Sequence, residues 1–182
     1  MKILWALVSL MLAGEVCAQC VDGSLQGEGQ VLHARYQVFS EEGRHQVDFY
    51  RSGNQVAWQR GDMISVWKKE AESASLLRSF PGYERSIWYP AGDLRALGKE
   101  TRWQGVTGWP QPEDAGFARV EGGDAVVLGC PVQAYQNVEY GQVLWLERVG
   151  VPARVADRTQ QWQLVSLQRE SMSDTFDRWR KW

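Results

Sequence analysis

From residue 30 to residue 69 apolar and polar side chains alternate, and few folds tolerate that pattern. Leu32, Ala34, Tyr36 and Val38 fall on one side of an extended backbone, and His33, Arg35 and Gln37 on the other. Val47 and Phe49 alternate with Gln46 and Asp48, Val56 and Trp58 with Gln55 and Gln59, and Ile64 and Val66 with Ser65. A period of two over short runs marks strands with one face in a core. Ser52-Gly53-Asn54 and Gly61-Asp62 separate the runs with residues that suit turns between antiparallel neighbours. Further strands are expected near residues 74–80, 84–89, 116–120, 125–128, 132–138, 142–147, 151–156 and 161–168. Tyr140-Gly141, Val149-Gly150 and Asp157-Arg158-Thr159 mark turns among the later ones.

Two stretches depart from this rhythm. In residues 93–98, Asp93 can cap a helix, Leu94 and Leu97 share a face, and Gly98 can end it. Residues 99–114 collect Gly, Pro and Trp and predict a loop or lid. Residues 173–182 predict one or two amphipathic helical turns that bring Phe176 and Trp179 together. The expectation is a mainly β protein, with a single curved antiparallel sheet or unclosed β-barrel and one or two short helices.

Residues 1–18 read as an address. Lys2 supplies a positive start, an apolar run follows from Ile3 to Leu12, and Val16 and Ala18 stand at the −3 and −1 positions of a cleavage site. That is the pattern of a secretory signal peptide. The run is shorter than the roughly 20 residues a membrane span needs, so no stable membrane span is expected. Residues 19–182 then form a single exported β domain, placed by the short leader in the periplasm.

Cleavage leaves two of the three cysteines, Cys20 and Cys130. Two cysteines in an exported protein favour one disulfide. A redox role is disfavoured, because the pair lies far apart in sequence with no Cys-x-x-Cys.

Several chemistries find no footing. A net charge of −2 gives no sign of the basic surface that nucleic-acid binding requires. There is no His-Glu-x-x-His, no Gly-x-Ser-x-Gly and no P-loop, so no metal and no cofactor are expected. The two histidines are His33, expected to be solvated on a polar strand face, and His45, beside a Glu-Glu-Gly-Arg turn. Glu41-Glu42, Asp62, Asp93, Glu113-Asp114 and Asp124 all sit near turns, where carboxylates cap and solubilise. A carbohydrate-active enzyme would need two of them facing one cleft. The expectation is a protein that is not an enzyme.

The chain holds ten tryptophans, of which Trp5 falls in the leader. Each ring buries on the order of 200 Å², enough to fill a sheet face or to line a cavity for an apolar ligand. Candidate ligand-binding residues are Trp58, Trp67, Trp88, Trp103, Trp109 and Trp145. Trp58 and Trp145 also suit a core, whereas Trp103 and Trp109 fall on the Gly/Pro segment and suit a lid or mouth.

The stretch Leu128-Gly129-Cys130-Pro131-Val132-Gln133-Ala134-Tyr135, then Val143-Leu144-Trp145-Leu146, then Gly150-Val151-Pro152-Ala153-Arg154-Val155 resembles the periplasmic lipoprotein carrier and receptor superfamily (LolA/LolB-like). The early meander and the short helix after Trp88-Tyr89-Pro90 resemble it as well. The long helix usual near the carriers' N-terminus has no counterpart between Cys20 and Gln30. The resemblance implies an unclosed barrel with helices over an apolar cavity for acyl chains, and no catalytic residues. The expected partner is a lipid or lipoprotein acyl chain. The alternative is a cell-envelope protein partner contacted through Trp103 and Trp109.

Overall fold

The computed structural model describes residues 20, 29–106, 108–123 and 125–171. The leader at residues 1–18 and the helical turns expected at residues 173–182 lie outside them, as does Asp124.

Alternation becomes strand wherever the sequence predicts it. The first meander is β1 (Gln30–Ser40), β2 (Gly43–Arg51), β3 (Gln55–Arg60), β4 (Met63–Glu70), β5 (Ser73–Phe80) and β6 (Arg85–Tyr89). Three of its turns are tight, with Ser40 opposite Gly43, Arg60 opposite Met63 and Glu70 opposite Ser73. Two short helices follow, α1 (Ala91–Ala96) and α2 (Trp103–Val106). The second meander is β7 (Ala118–Arg119), β8 (Ala125–Val127), β9 (Cys130–Asn137), β10 (Gly141–Leu146), β11 (Val151–Ala156) and β12 (Gln160–Ser171). The described residues form twelve strands in one antiparallel sheet that is not closed into a barrel.

The sheet order is β6-β5-β4-β3-β2-β1-β12-β11-β10-β9-β7, with β8 paired to β9. The two meanders therefore run outward in opposite directions from the β1–β12 pair, which holds register from Gln30↔Ser171 to Ser40↔Gln160 with a bulge at Arg35/Tyr36. Strands β6 and β7 stand at opposite ends of the strand order, and the segment joining them crosses the sheet. It does so over one face, called the inner face below.

Helix α1 starts two residues before the expected position. Pro90 stands at its N-cap without a side-chain bond, and Asp93 lies inside the first turn. Gly98, at φ +69°, does end it. Trp103 opens a second helical turn within the stretch expected to be loop.

The inner face carries the main core. Tyr36, Val38, Val47, Phe49 and Val56 meet Leu146, Val151, Trp162 and Leu164 there. The Cys20–Cys130 disulfide joins this core with Cα atoms 4.5 Å apart. A second cluster, Val31, Tyr50, Ala57, Ile64 and Val66, comes from the alternate positions of the same strands, on the outer face. A third groups Tyr135, Val143 and Trp145.

Candidate ligand-binding groove

Strand register lines up the inner-face side chains in rows. Val56 pairs with Trp67, Trp67 with Leu76, and Leu76 with Tyr89. In the next row Phe49 pairs with Trp58, Trp58 with Ser65, and Ser65 with Arg78. Above these rows α1 and α2 are anchored by buried Leu94 and Val106. The helices are too short to cover the floor. What remains is an open groove of about 500 Å³, lined by Trp58, Trp67, Leu76, Arg78, Tyr89, Leu94, Leu97, Lys99, Glu100 and Val106. Its volume lies within the roughly 300–1,000 Å³ of small-molecule sites.

Trp109 bounds this region. Its ring centroid lies 5.6 Å from that of Trp58, 5.5 Å from Trp162 and 5.9 Å from Tyr36. The near-perpendicular geometry to Trp58 and Trp162 is a favourable aromatic arrangement. Gly108 makes the approach possible. It sits at φ +106°, and a Cβ there would come within 2.8 Å of Phe49 and 3.1 Å of Trp58. Beyond Trp109 lies a smaller apolar cavity of about 190 Å³ that includes Phe117, Val143, Trp145 and Pro152 in its lining.

Two buried donors near this cluster lack acceptors among the described residues: the indole N–H of Trp109 and Nε of Arg51. Such a group costs about 1–3 kcal/mol. The Arg51 Nη groups do donate, at 3.0 Å to the Gly150 carbonyl and also to the Val149 carbonyl. Burial pushes its pKa down. The Tyr36 hydroxyl donates to the Pro152 carbonyl at 3.0 Å, and burial pushes its pKa up.

The groove has one carboxylate in its lining, Glu100. The Arg102 side chain donates to it at 2.9 Å, and the backbone N–H groups of Thr101 and Arg102 donate at 2.9 and 2.8 Å. These bonds, the Arg102 side chain first, hold its pKa at about 2. Among the described residues no group of His, Cys, Asp or Glu is arranged to hold a metal ion. No described helix is long and apolar enough to cross a membrane.

The expected tryptophans do not all converge. Trp58 and Trp67 line the groove, and Trp109 packs against Trp58. Trp103 packs against the main core. Trp145 is buried in the third cluster and reaches only the smaller cavity. Trp88 departs from the expectation: it pairs with Leu77, in the outer-face row of edge strand β6, and is 61% exposed. Sequence reasoning missed Trp162, Leu76, Arg78, Tyr89 and Lys99. Leu76 and Arg78 share a strand face with Ala74 and were detectable from alternation, but not which face the helices would cover.

His33 corrects a second expectation. Instead of being solvated it is 4% exposed. Its Nε2 lies 2.6 Å from Asp48 Oδ1 and its Nδ1 lies 2.6 Å from Glu170 Oε1. Its ring stacks on Tyr50 at 4.2 Å. Arg35 and Gln46 also donate to Asp48, at 2.8 and 2.7 Å. Burial pushes the Asp48 carboxyl up, but the bonds from His33, Arg35 and Gln46 together outweigh it and hold it at about 2. This network ties β1, β2 and β12 together on the face opposite the groove.

No protein-family model matches this chain, and no curated protein matches it. Among solved structures it is similar to an outer membrane lipoprotein-sorting protein domain from Vibrio parahaemolyticus. The two share 10% identity and a TM-score of 0.35, over 86% of this chain and 93% of that one. A match that loose transfers neither family membership nor ligand.

Proposed function

We propose that this chain is an exported, non-enzymatic periplasmic protein that binds a hydrophobic ligand, a lipid or a lipoprotein acyl chain, in the Trp-lined groove. The observation that carries the reading is the open apolar floor of Trp58, Trp67 and Leu76 under helices too short to close it. The disulfide supports export, because such bonds persist in oxidising compartments. Residues 1–18 supply the leader, and residues 19–182 act as one domain. Trp58 and Trp67 contact the ligand, Trp109 forms the wall behind Trp58, Trp103 supports the main core, and Trp145 stands apart in the third cluster.

The test is a fluorescent fatty-acid probe. It binds at micromolar concentration and changes tryptophan emission, and Trp67→Ala weakens binding about tenfold while the melting temperature stays close to wild type. No binding at that concentration ends the lipid reading.

One observation favours a second reading, a cell-envelope protein partner. Edge strand β6 exposes both Ile87 and Trp88, on opposite faces, and an uncovered edge can add a strand from another chain.

A further inference from the structure

The groove has a charge pattern as well as an apolar floor. A neighbouring depression of about 230 Å³ shares Trp58, Trp67, Leu76 and Arg78 with it, and adds Arg60, Met63 and Ser65. The two are continuous along that shared floor. Arg78 lines both parts, Arg60 lines the smaller and Lys99 the larger. The Arg60 guanidinium lies 5.5 Å from the Trp162 ring centroid. Among the described residues none of these three cations has an ion-pair partner. The one carboxylate in the lining, Glu100, is already taken by Arg102. The trough is therefore apolar below and positive at its rim.

Volume narrows the occupant further. A methylene takes about the space of a water molecule in the liquid, roughly 30 Å³, so a 16-carbon chain needs about 480 Å³. The groove offers about 500 Å³ and the depression about 230 Å³ more, room for one such chain with its head group and not for three.

Resting on the ligand-binding reading above, we infer that the groove takes a single-chain fatty-acid anion, with its chain on Trp58, Trp67 and Leu76 and its carboxylate at Arg60 and Arg78. Guanidinium groups suit this role because they stay charged and match carboxylate geometry. Such a site discriminates by head group as well as by chain, and its affinity falls with added salt.

The experiment compares three ligands on the full mature chain. Two are 16-carbon chains with the same fluorophore, one ending in a carboxylate and one in an alcohol. The third is a triacylated lipopeptide used as competitor. The acid is expected to bind at least tenfold tighter than the alcohol, and Arg78→Gln to weaken acid binding far more than alcohol binding, so that most of that difference is lost. Arg78 is exposed, so this variant folds, and a thermal melt checks it. Equal binding of acid and alcohol overturns the anion inference and leaves the hydrophobic-ligand reading standing. Tighter binding of the lipopeptide than of the acid overturns the single-chain part. Binding of none of the three overturns both.

Discussion

The two faces of the first meander are made by alternate residues of the same strands, yet they are finished differently. On the outer face polar groups are matched: His33 has a carboxylate at each ring nitrogen, and Asp48 is reached by three side chains. On the inner face large rings meet a crossing segment that leaves a groove, and the Trp109 indole N–H has no acceptor among the described residues. Matched polar networks rigidify a fold. Open apolar floors with unspent donors and cations are where a ligand can add contacts. The outer face closes its polar groups on one another, and the inner face joins the main core to an open apolar floor.

The contrast breaks most sharply at Trp109. Trp109→Ala removes a ring that touches Tyr36, Trp58 and Trp162, and the expected loss is about 3–5 kcal/mol. Denaturant unfolding measures it. A loss under about 1 kcal/mol would make Trp109 a removable lid rather than a strut.

The outer face is sharpened by pH. The Asp48 carboxyl sits at about 2 in the fold against an ordinary 3.8. Its lowered value stabilises the fold above about pH 4, and that contribution is lost as the pH falls toward 2. After allowance for solvent screening it is on the order of 1 kcal/mol. Asp48→Asn should flatten stability across that window, and a variant whose acid limb matches wild type would relocate the acid sensitivity elsewhere.

The smallest effect is expected at Trp88. Trp88→Ala should change stability by no more than about 0.5 kcal/mol and leave fatty-acid binding untouched, because the ring is exposed on the other face. Weakened probe binding would move the ligand site from the groove to the β6 edge.

Much of the architecture is legible in the residues. Leu32, Ala34, Tyr36 and Val38 read as one strand face and form one. Residues 151–156 read as a strand and are β11. Cys20 and Cys130 read as a pair and are bonded. The misreadings share a cause. His33 looked solvated because strand neighbours are visible in one dimension, whereas Asp48 and Glu170 arrive from β2 and β12. Trp88 looked like a groove residue because a count of rings carries no direction. Arg78 and Lys99 carry no signal of their own, because a cation on a strand or in a loop is ordinary until two helices leave it at the rim of a trough.

Period two, the turn residues and a count of two cysteines beyond residue 18 therefore pointed by themselves to antiparallel strands in one sheet with one bridge. The strands and turns are properties of neighbouring residues, and the bridge follows from cysteine number alone. The tertiary structure alone decided which face is covered, that Trp109 is held between Trp58 and Trp162, and that Arg60 and Arg78 border one apolar floor. Each depends on a segment crossing from β6 to β7 over a sheet whose middle pair joins the two ends of the fold, and contacts at such separations leave no local periodicity to read.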